Sequence, residues 1–273
     1  MSLKQTIVEY APPHLIHWGK SIVDSGYRNK ARHLARIKAT PRHQSMITGI
    51  LGKPLEVVDS ASFVWMYGEI FEREIYRFQA RTDSPFIVDC GANIGLSVLY
   101  FKQLYPQSRI VAFEPDDQIF AVMQKNLEGF GYQDIDLHCR AVWNCATTLR
   151  FASDGADGGR VAKAGETHNK EVKTERLRDF LDQRVDFLKI DIEGAETEVL
   201  LDCADRLGNV DNLFLEYHSF DQQPQSLHVL INILNDAGFR LHIHPPITSP
   251  QPFLKRDVHA GMDMQLNIFA FRR

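Results

Sequence analysis

Residues 86–95 read FIVDCGANIG. Phe86, Ile87 and Val88 have the apolar character of a buried strand; Asp89 follows, then a turn punctuated by Gly91 and Gly95, then the amphipathic NIGLSVLYFKQLYP. Strand, glycine turn and helix in that order form the first unit of an open α/β sheet, whose ligands bind beyond the carboxyl ends of the strands. A dinucleotide site would carry G-x-G-x-x-G here and offer a helix N-terminus to a pyrophosphate. The spacing found is instead D-x-G-x-N-x-G, through Asp89, Gly91, Asn93 and Gly95. A carboxylate at that place repels a pyrophosphate and suits a cationic, hydroxyl-bearing ligand. Glycine lets backbone approach such a ligand, and Asn93 tolerates the left-handed conformation where glycine often sits.

S-adenosylmethionine has that chemistry: a sulfonium, an ammonium and a ribose, with no phosphate. The next strand ends in VAFEPDD, which puts Glu114 at the neighbouring carboxyl end, where a carboxylate can accept from two ribose hydroxyls. The third strand ends in LHCRAVWN, so Ala141 and Val142 are expected near the adenine, with Trp143 more in keeping with a core residue than a stacking platform.

The 273 residues, 44% hydrophobic, suffice for a substantial core. The net charge of -4 is mild but uneven: residues 1–60 hold nine Lys/Arg against four Asp/Glu, and the remainder 22 against 31. Cys90, Cys139, Cys145 and Cys203 form no CxxC pair and are read as reduced. No run approaches the ~18 apolar residues of a membrane span, and MSLKQTIVEY has no apolar leader core; a cytoplasmic location is the expectation.

Strand-length apolar runs alternate with helical segments from residue 85 onward. Strands are expected at 86–89, 109–113, 135–139, 185–191, 212–217, 239–244 and 265–271, and helices at about 95–105, 117–129, 195–206 and 224–237. This predicts an α/β fold with a seven-strand, mostly parallel, doubly wound Rossmann-like sheet. No helix separates the last two strands, so the final one is expected to return antiparallel. Residues 1–80 read as a basic, mainly helical extension and 81–273 as the cofactor-binding domain, with a turn-rich insertion at 143–180.

FIVDCGANIGLSVLYF, VAFEPD and LRDFLDQRVDFLKIDIEGAETEVLL together resemble the FkbM family of S-adenosylmethionine-dependent methyltransferases, of class I fold, over about residues 63–271. The resemblance implies methyl transfer, usually to a hydroxyl oxygen of a natural product, sugar or glycolipid. It carries the family's cofactor pattern onto Asp89, Gly91, Ala92, Asn93, Gly95 and Glu114.

Methyl transfer to an alcohol needs in-line alignment and a nearby base. Strand four offers Lys189, Asp191 and Glu193 at alternating positions, and strand five Glu216 and His218. His218 is the first choice of base, Asp191 and Glu193 are pocket acids, and Lys189 reads as a structural ion pair. Asp191, Glu193, Glu216 and His218 could form an oxygen-rich divalent-metal site, but nothing in their spacing demands it and no metal is assigned. The acceptor is expected to be a small molecule or glycan.

Rival readings remain. The helix YRNKARHLARIKATPRH could grip nucleic acid, although the acidic remainder disfavours it. A nicotinamide oxidoreductase is disfavoured by the glycine spacing, and a non-catalytic cofactor-binding protein stays open. The N-terminal helices could also pack on a second subunit of a homo-oligomer.

Overall fold

The computed structural model describes residues 25–156, 158–162, 170–247 and 249–272. Two compact units divide between Val64 and Trp65. In the first, α1 (Ser25–Ala39) carries the basic segment, with Arg32, Arg36 and Lys38 exposed and Ile37 fully buried. A two-stranded antiparallel hairpin follows, β1 (Met46–Thr48) with β2 (Leu55–Val57). It adds a hairpin to a stretch expected to be mainly helical: Leu55 and Val57 are completely buried, so packing of two side chains fixes strands too short to announce themselves. Asp59 caps α2 (Ser60–Tyr67), accepting from the Ser62 amide at 2.9 Å and from the Arg42 guanidinium at 3.1 Å.

Within the stretch expected to be helical, FVWMYGEIFEREIYRF is interrupted. Its α-helical part stops at Tyr67, and a π-helical turn, Gly68–Glu72, takes over. Glu74 then adopts a left-handed backbone.

The main sheet of the second unit has seven strands: β3 (Phe86–Cys90), β4 (Arg109–Phe113), β5 (Asp136–His138), β10 (Val185–Ile190), β11 (Val210–Phe220), β12 (Arg240–Ile247) and β13 (Met262–Phe271). Their spatial order is β12-β13-β11-β10-β3-β4-β5. The five strands from β11 to β5 pair in parallel, while β13 runs antiparallel between β11 and β12, as the helix-free connection predicts. Helices α3 (Leu96–Leu104), α4 (Asp117–Gly129), α5 (Glu196–Cys203) and α6 (Leu227–Asp236) form the connections. Asp116 caps α4 through the Gln118 amide at 2.9 Å. At the other end of α6, Gly238 takes φ +81° and the Phe239 amide closes on the Leu234 carbonyl at 3.1 Å, a glycine stop of the Schellman type.

The 143–180 excursion forms strands rather than a crossover helix. β6 (Ala141–Trp143), β7 (Thr148–Ala152), β8 (Arg160–Val161) and β9 (Lys170–Arg176) make a separate four-stranded sheet, ordered β6-β9-β7-β8. The core lies under the main sheet, where Val88, Leu188, Ile190, Leu215 and Ile268 of its strands meet Val199 and Leu200 of α5 and Leu230 and Leu234 of α6. On the other face, the Tyr76 ring packs against Phe214 at 4.8 Å, and Phe101 lies 5.2 Å from Phe187. No helix among the described residues is long and apolar enough to cross a membrane.

Candidate active site

The carboxyl ends of β3, β4, β10 and β11 bring the predicted residues to one edge of the sheet. After β3 the chain turns at Gly91 and Gly95, both at positive φ (+90° and +89°), while Asn93 holds a left-handed backbone at φ +49°. The amides of Gly91 and Ala92 both donate to the Phe113 carbonyl, at 3.0 and 2.9 Å, which ties the loop to the end of β4. Gly91 has no room for a side chain, since a Cβ would stand 1.9 Å from the Asp191 carbonyl oxygen.

Glu114 closes this loop from the other side. One of its oxygens accepts from the Asn93 amide at 3.0 Å and the other from the Asp116 amide at 2.9 Å. A carboxylate has about four acceptor positions, so both oxygens retain capacity for ligand hydroxyls. Burial pushes its carboxyl up to about 7, against the lowering pull of the Asp116 amide. The insertion reaches the same place: the Asn93 side chain donates to the Ala156 carbonyl at 2.8 Å, and Lys170 meets Asp116 at 2.7 Å.

Asp89 is completely buried. It accepts from the Ser97 hydroxyl at 2.5 Å, and its second oxygen stands 3.4 Å from the Lys189 ammonium, its register partner on β10. Lys189 in turn donates to the Gly91 carbonyl at 2.8 Å and faces Asp191 at 3.3 Å. Burial works against its charge, yet Asp191 and Asp89 outweigh it and hold the ammonium well above the usual lysine range. The ion-pair reading of Lys189 therefore describes its surroundings, with Asp89 as an additional partner.

Ala141 and Val142 follow β5 directly, on β6. Ala141 packs with Phe151 and Val172, and Val142 joins the main core, against which Trp143 also leans. Both side chains are buried in apolar clusters, on opposite faces of their strand.

Around His218 the geometry is more crowded than the strand pattern suggests. The ring is almost wholly buried; Nδ1 lies 2.9 Å from Glu196, and Nε2 lies 3.6 Å from both Glu193 and Glu216 without a hydrogen-bond partner. Glu196 also accepts from the Gly194 amide at 2.9 Å. Burial opposes the imidazolium, but Glu193 and Glu196 outweigh it and raise its pKa well above the ordinary value. Burial likewise raises Glu193 and Glu216, each with added repulsion from Asp191. The cluster thus has more carboxylates than cations and retains protons to compensate. The ring proposed as the base from the sequence thus stands among three acids, Glu193, Glu196 and Glu216, that favour its protonated form.

Glu193 holds this place with a left-handed backbone (φ +53°), and at Gly194 a Cβ would meet the Phe220 ring at 2.6 Å. Strained non-glycine backbone of this kind gathers at functional sites. Sequence reasoning missed two members of the neighbourhood. Glu196 was absorbed into a helix pattern, though its position three residues after Glu193 in EGAE was a visible signal. Glu69, on the π-helical turn, shares a hydrogen bond with Asn267 and senses the charge of Asp191; it carried no such signal.

The strand order, with the glycine loop and an acid at the carboxyl ends of neighbouring strands, is that of a class I, Rossmann-like fold. The chain belongs to the FkbM methyltransferase family, whose domain, described as "Methyltransferase FkbM domain", matches residues 89–241. It is 32% identical over 218 residues to Methyltransferase 1 of Beauveria bassiana (strain ARSEF 2860), covering 70% of this chain and 86% of that protein. Methyltransferase sdnD of Sordaria araneosa is 32% identical over 173 residues, covering 50% of this chain and 67% of its own. Among solved structures, Methyltransferase FkbM from Methylobacillus flagellatus KT aligns at a TM-score of 0.49 and 18% identity; 74% of this chain and 46% of that one are covered, so the match spans under half of that protein.

Proposed function

We propose that this methyltransferase moves a methyl group from S-adenosylmethionine to a hydroxyl oxygen of a small molecule or glycan. The observation that carries the reading is the juxtaposition, at one sheet edge, of a phosphate-averse glycine loop closed by Glu114 and a partly buried cluster of Asp191, Glu193 and His218. The loop residues Gly91, Ala92, Asn93 and Gly95 approach the donor through backbone, Glu114 accepts from its ribose hydroxyls, and Asp89 fixes the loop from beneath. Ala141 and Val142 border the adenine through their backbone, since their side chains are committed to core packing.

In the reaction, the acceptor oxygen forms its bond to the methyl carbon as the carbon–sulfur bond breaks; the electron pair stays on sulfur, giving S-adenosylhomocysteine. The hydroxyl proton leaves to the cluster around His218. The protein's main contributions are alignment and exclusion of water. A screen of hydroxylated acceptors with labelled donor tests this directly; methylation appearing only on nitrogen or nucleic acid would overturn it. Once an acceptor is known, His218→Ala should lower kcat about a hundredfold or more while leaving S-adenosylhomocysteine affinity within about twofold. Unchanged turnover would remove His218 from the chemistry.

Glu114 gives a separate check on the donor site. Its carboxyl sits at about 7 in the free protein, and only the ionised form accepts from two hydroxyls. Affinity for S-adenosylhomocysteine should therefore be full above that value and fall as pH drops through it, by about tenfold per unit at the limit. Glu114→Gln should bind more weakly at pH 8 and show a flatter profile, measured by calorimetric titration. A wild-type profile identical to that of the variant would separate Glu114 from the donor.

A further inference from the structure

Among the described residues of the active-site region, Nε2 of His218 is a buried polar atom without a hydrogen bond. The side chain is 1% exposed, the nitrogen has no hydrogen-bond partner, and it points between Glu193 and Glu216, 3.6 Å from an oxygen of each. Asp191 completes the ring: one donor atom from each of Asp191, Glu193 and His218 can be chosen so that all three lie within 4.8 Å of one another. We propose that Asp191, Glu193 and His218 bind a divalent cation of the Mg²⁺ and Mn²⁺ class, one that bridges the protein to the acceptor oxygen.

Donor atoms about 2.1 Å from a shared six-coordinate cation stand about 3.0 Å apart when adjacent and about 4.2 Å when opposite. The 3.6 Å between Nε2 and Glu193 lies inside that range and the 4.8 Å limit lies above it, so the carboxylates would turn inward on binding. The donor set, two carboxylates and one imidazole, suits a hard to borderline cation rather than a thiophilic one. Behind the ring, Glu196 bonds Nδ1 at 2.9 Å and is itself fixed by the Gly194 amide. A carboxylate on the far nitrogen is the usual support of a metal-ligating histidine, fixing its tautomer and leaving Nε2 as the ligand. Asn267, register partner of Glu216 on β13, has a buried side-chain oxygen that also lacks a hydrogen bond. Asn267 therefore adds acceptor capacity beside Glu216.

The cation would sit among these three donor groups, beside Glu216. By withdrawing charge from a bound hydroxyl it would ease loss of the acceptor proton, which Glu216 is positioned to receive. That catalytic role rests on the oxygen-methylation reading, whereas cation binding does not and can be measured without donor or acceptor.

The test is titration of the purified chain with Mn²⁺, following the free-ion signal by electron paramagnetic resonance. Wild type should remove one equivalent, with Mg²⁺ competing. Glu193→Gln should weaken uptake by at least about tenfold, and Glu196→Gln, which leaves all three ligands in place, by about ten- to a hundredfold. Glu193 is less buried than His218, so its variant serves where a change at His218 would disturb folding. Absence of stoichiometric uptake by wild type, or uptake that Glu193→Gln and Glu196→Gln retain at wild-type affinity, would overturn the site. Either failure would leave the methyl-transfer reading standing, because the acceptor screen can be run with and without added cation.

Discussion

Gly91→Ala is expected to destabilise the second unit by more than about 3 kcal/mol, enough to leave much of the protein insoluble on expression. Two costs add at this position. The backbone holds φ +90°, which costs an L-residue about 1–2 kcal/mol. The new methyl would also stand 1.9 Å from the Asp191 carbonyl oxygen, a backbone atom held in the sheet by the hydrogen bond from the Asp191 amide to the Cys90 carbonyl at 3.1 Å. Neither side can yield without parting β3 from β10. Gly131→Ala isolates the first cost, since Gly131 has nearly the same φ, +85°, and nothing within 4 Å of the added carbon. It should lose only about 1 kcal/mol. Urea unfolding of the two variants separates conformational strain from collision, and equal midpoints would show that the close approach at Gly91 is readily relieved.

That collision also explains why the glycine loop was legible in sequence. A residue that must be glycine because two strand ends nearly touch leaves a mark in the chain itself, and so do the apolar runs of β3, β4, β10 and β11. The antiparallel return of β13 followed from a connection without a helix. Features that depend on distant partners left fainter marks. β1 and β2 are three residues each, too short for a periodic pattern, and exist because Leu55 and Val57 are buried. Alternation placed Glu216 and His218 on one side of a strand correctly. It could not show that Glu196, at the start of α5, and Glu193, on a left-handed backbone, converge on the same ring. The acids that surround His218 come from that convergence, which a pattern of residue types along the strand does not show.

Lys189 is where removal of one charge should have the second large effect. Its ammonium lies between Asp89 and Asp191 and is the only cation within salt-bridge distance of Asp89 among the described residues. Lys189→Met preserves most of the side-chain volume, so the loss is electrostatic: Asp89, fully buried, would retain the Ser97 hydroxyl alone. Removing one member of a buried pair costs about 3–5 kcal/mol, chiefly the desolvation of the charge left behind. Asp89→Asn together with Lys189→Met should therefore cost clearly less than the sum of the two single changes, because the neutral pair leaves no stranded carboxylate on β3. The same double variant separates stability from function. If Lys189 and Asp89 serve to shape the glycine loop, restored stability should bring back part of the donor affinity lost in Lys189→Met; if affinity stays lost while stability returns, the charges themselves act on the donor. Additive destabilisation in the double-mutant cycle would show instead that the two charges are independent and that the 3.4 Å pairing contributes little.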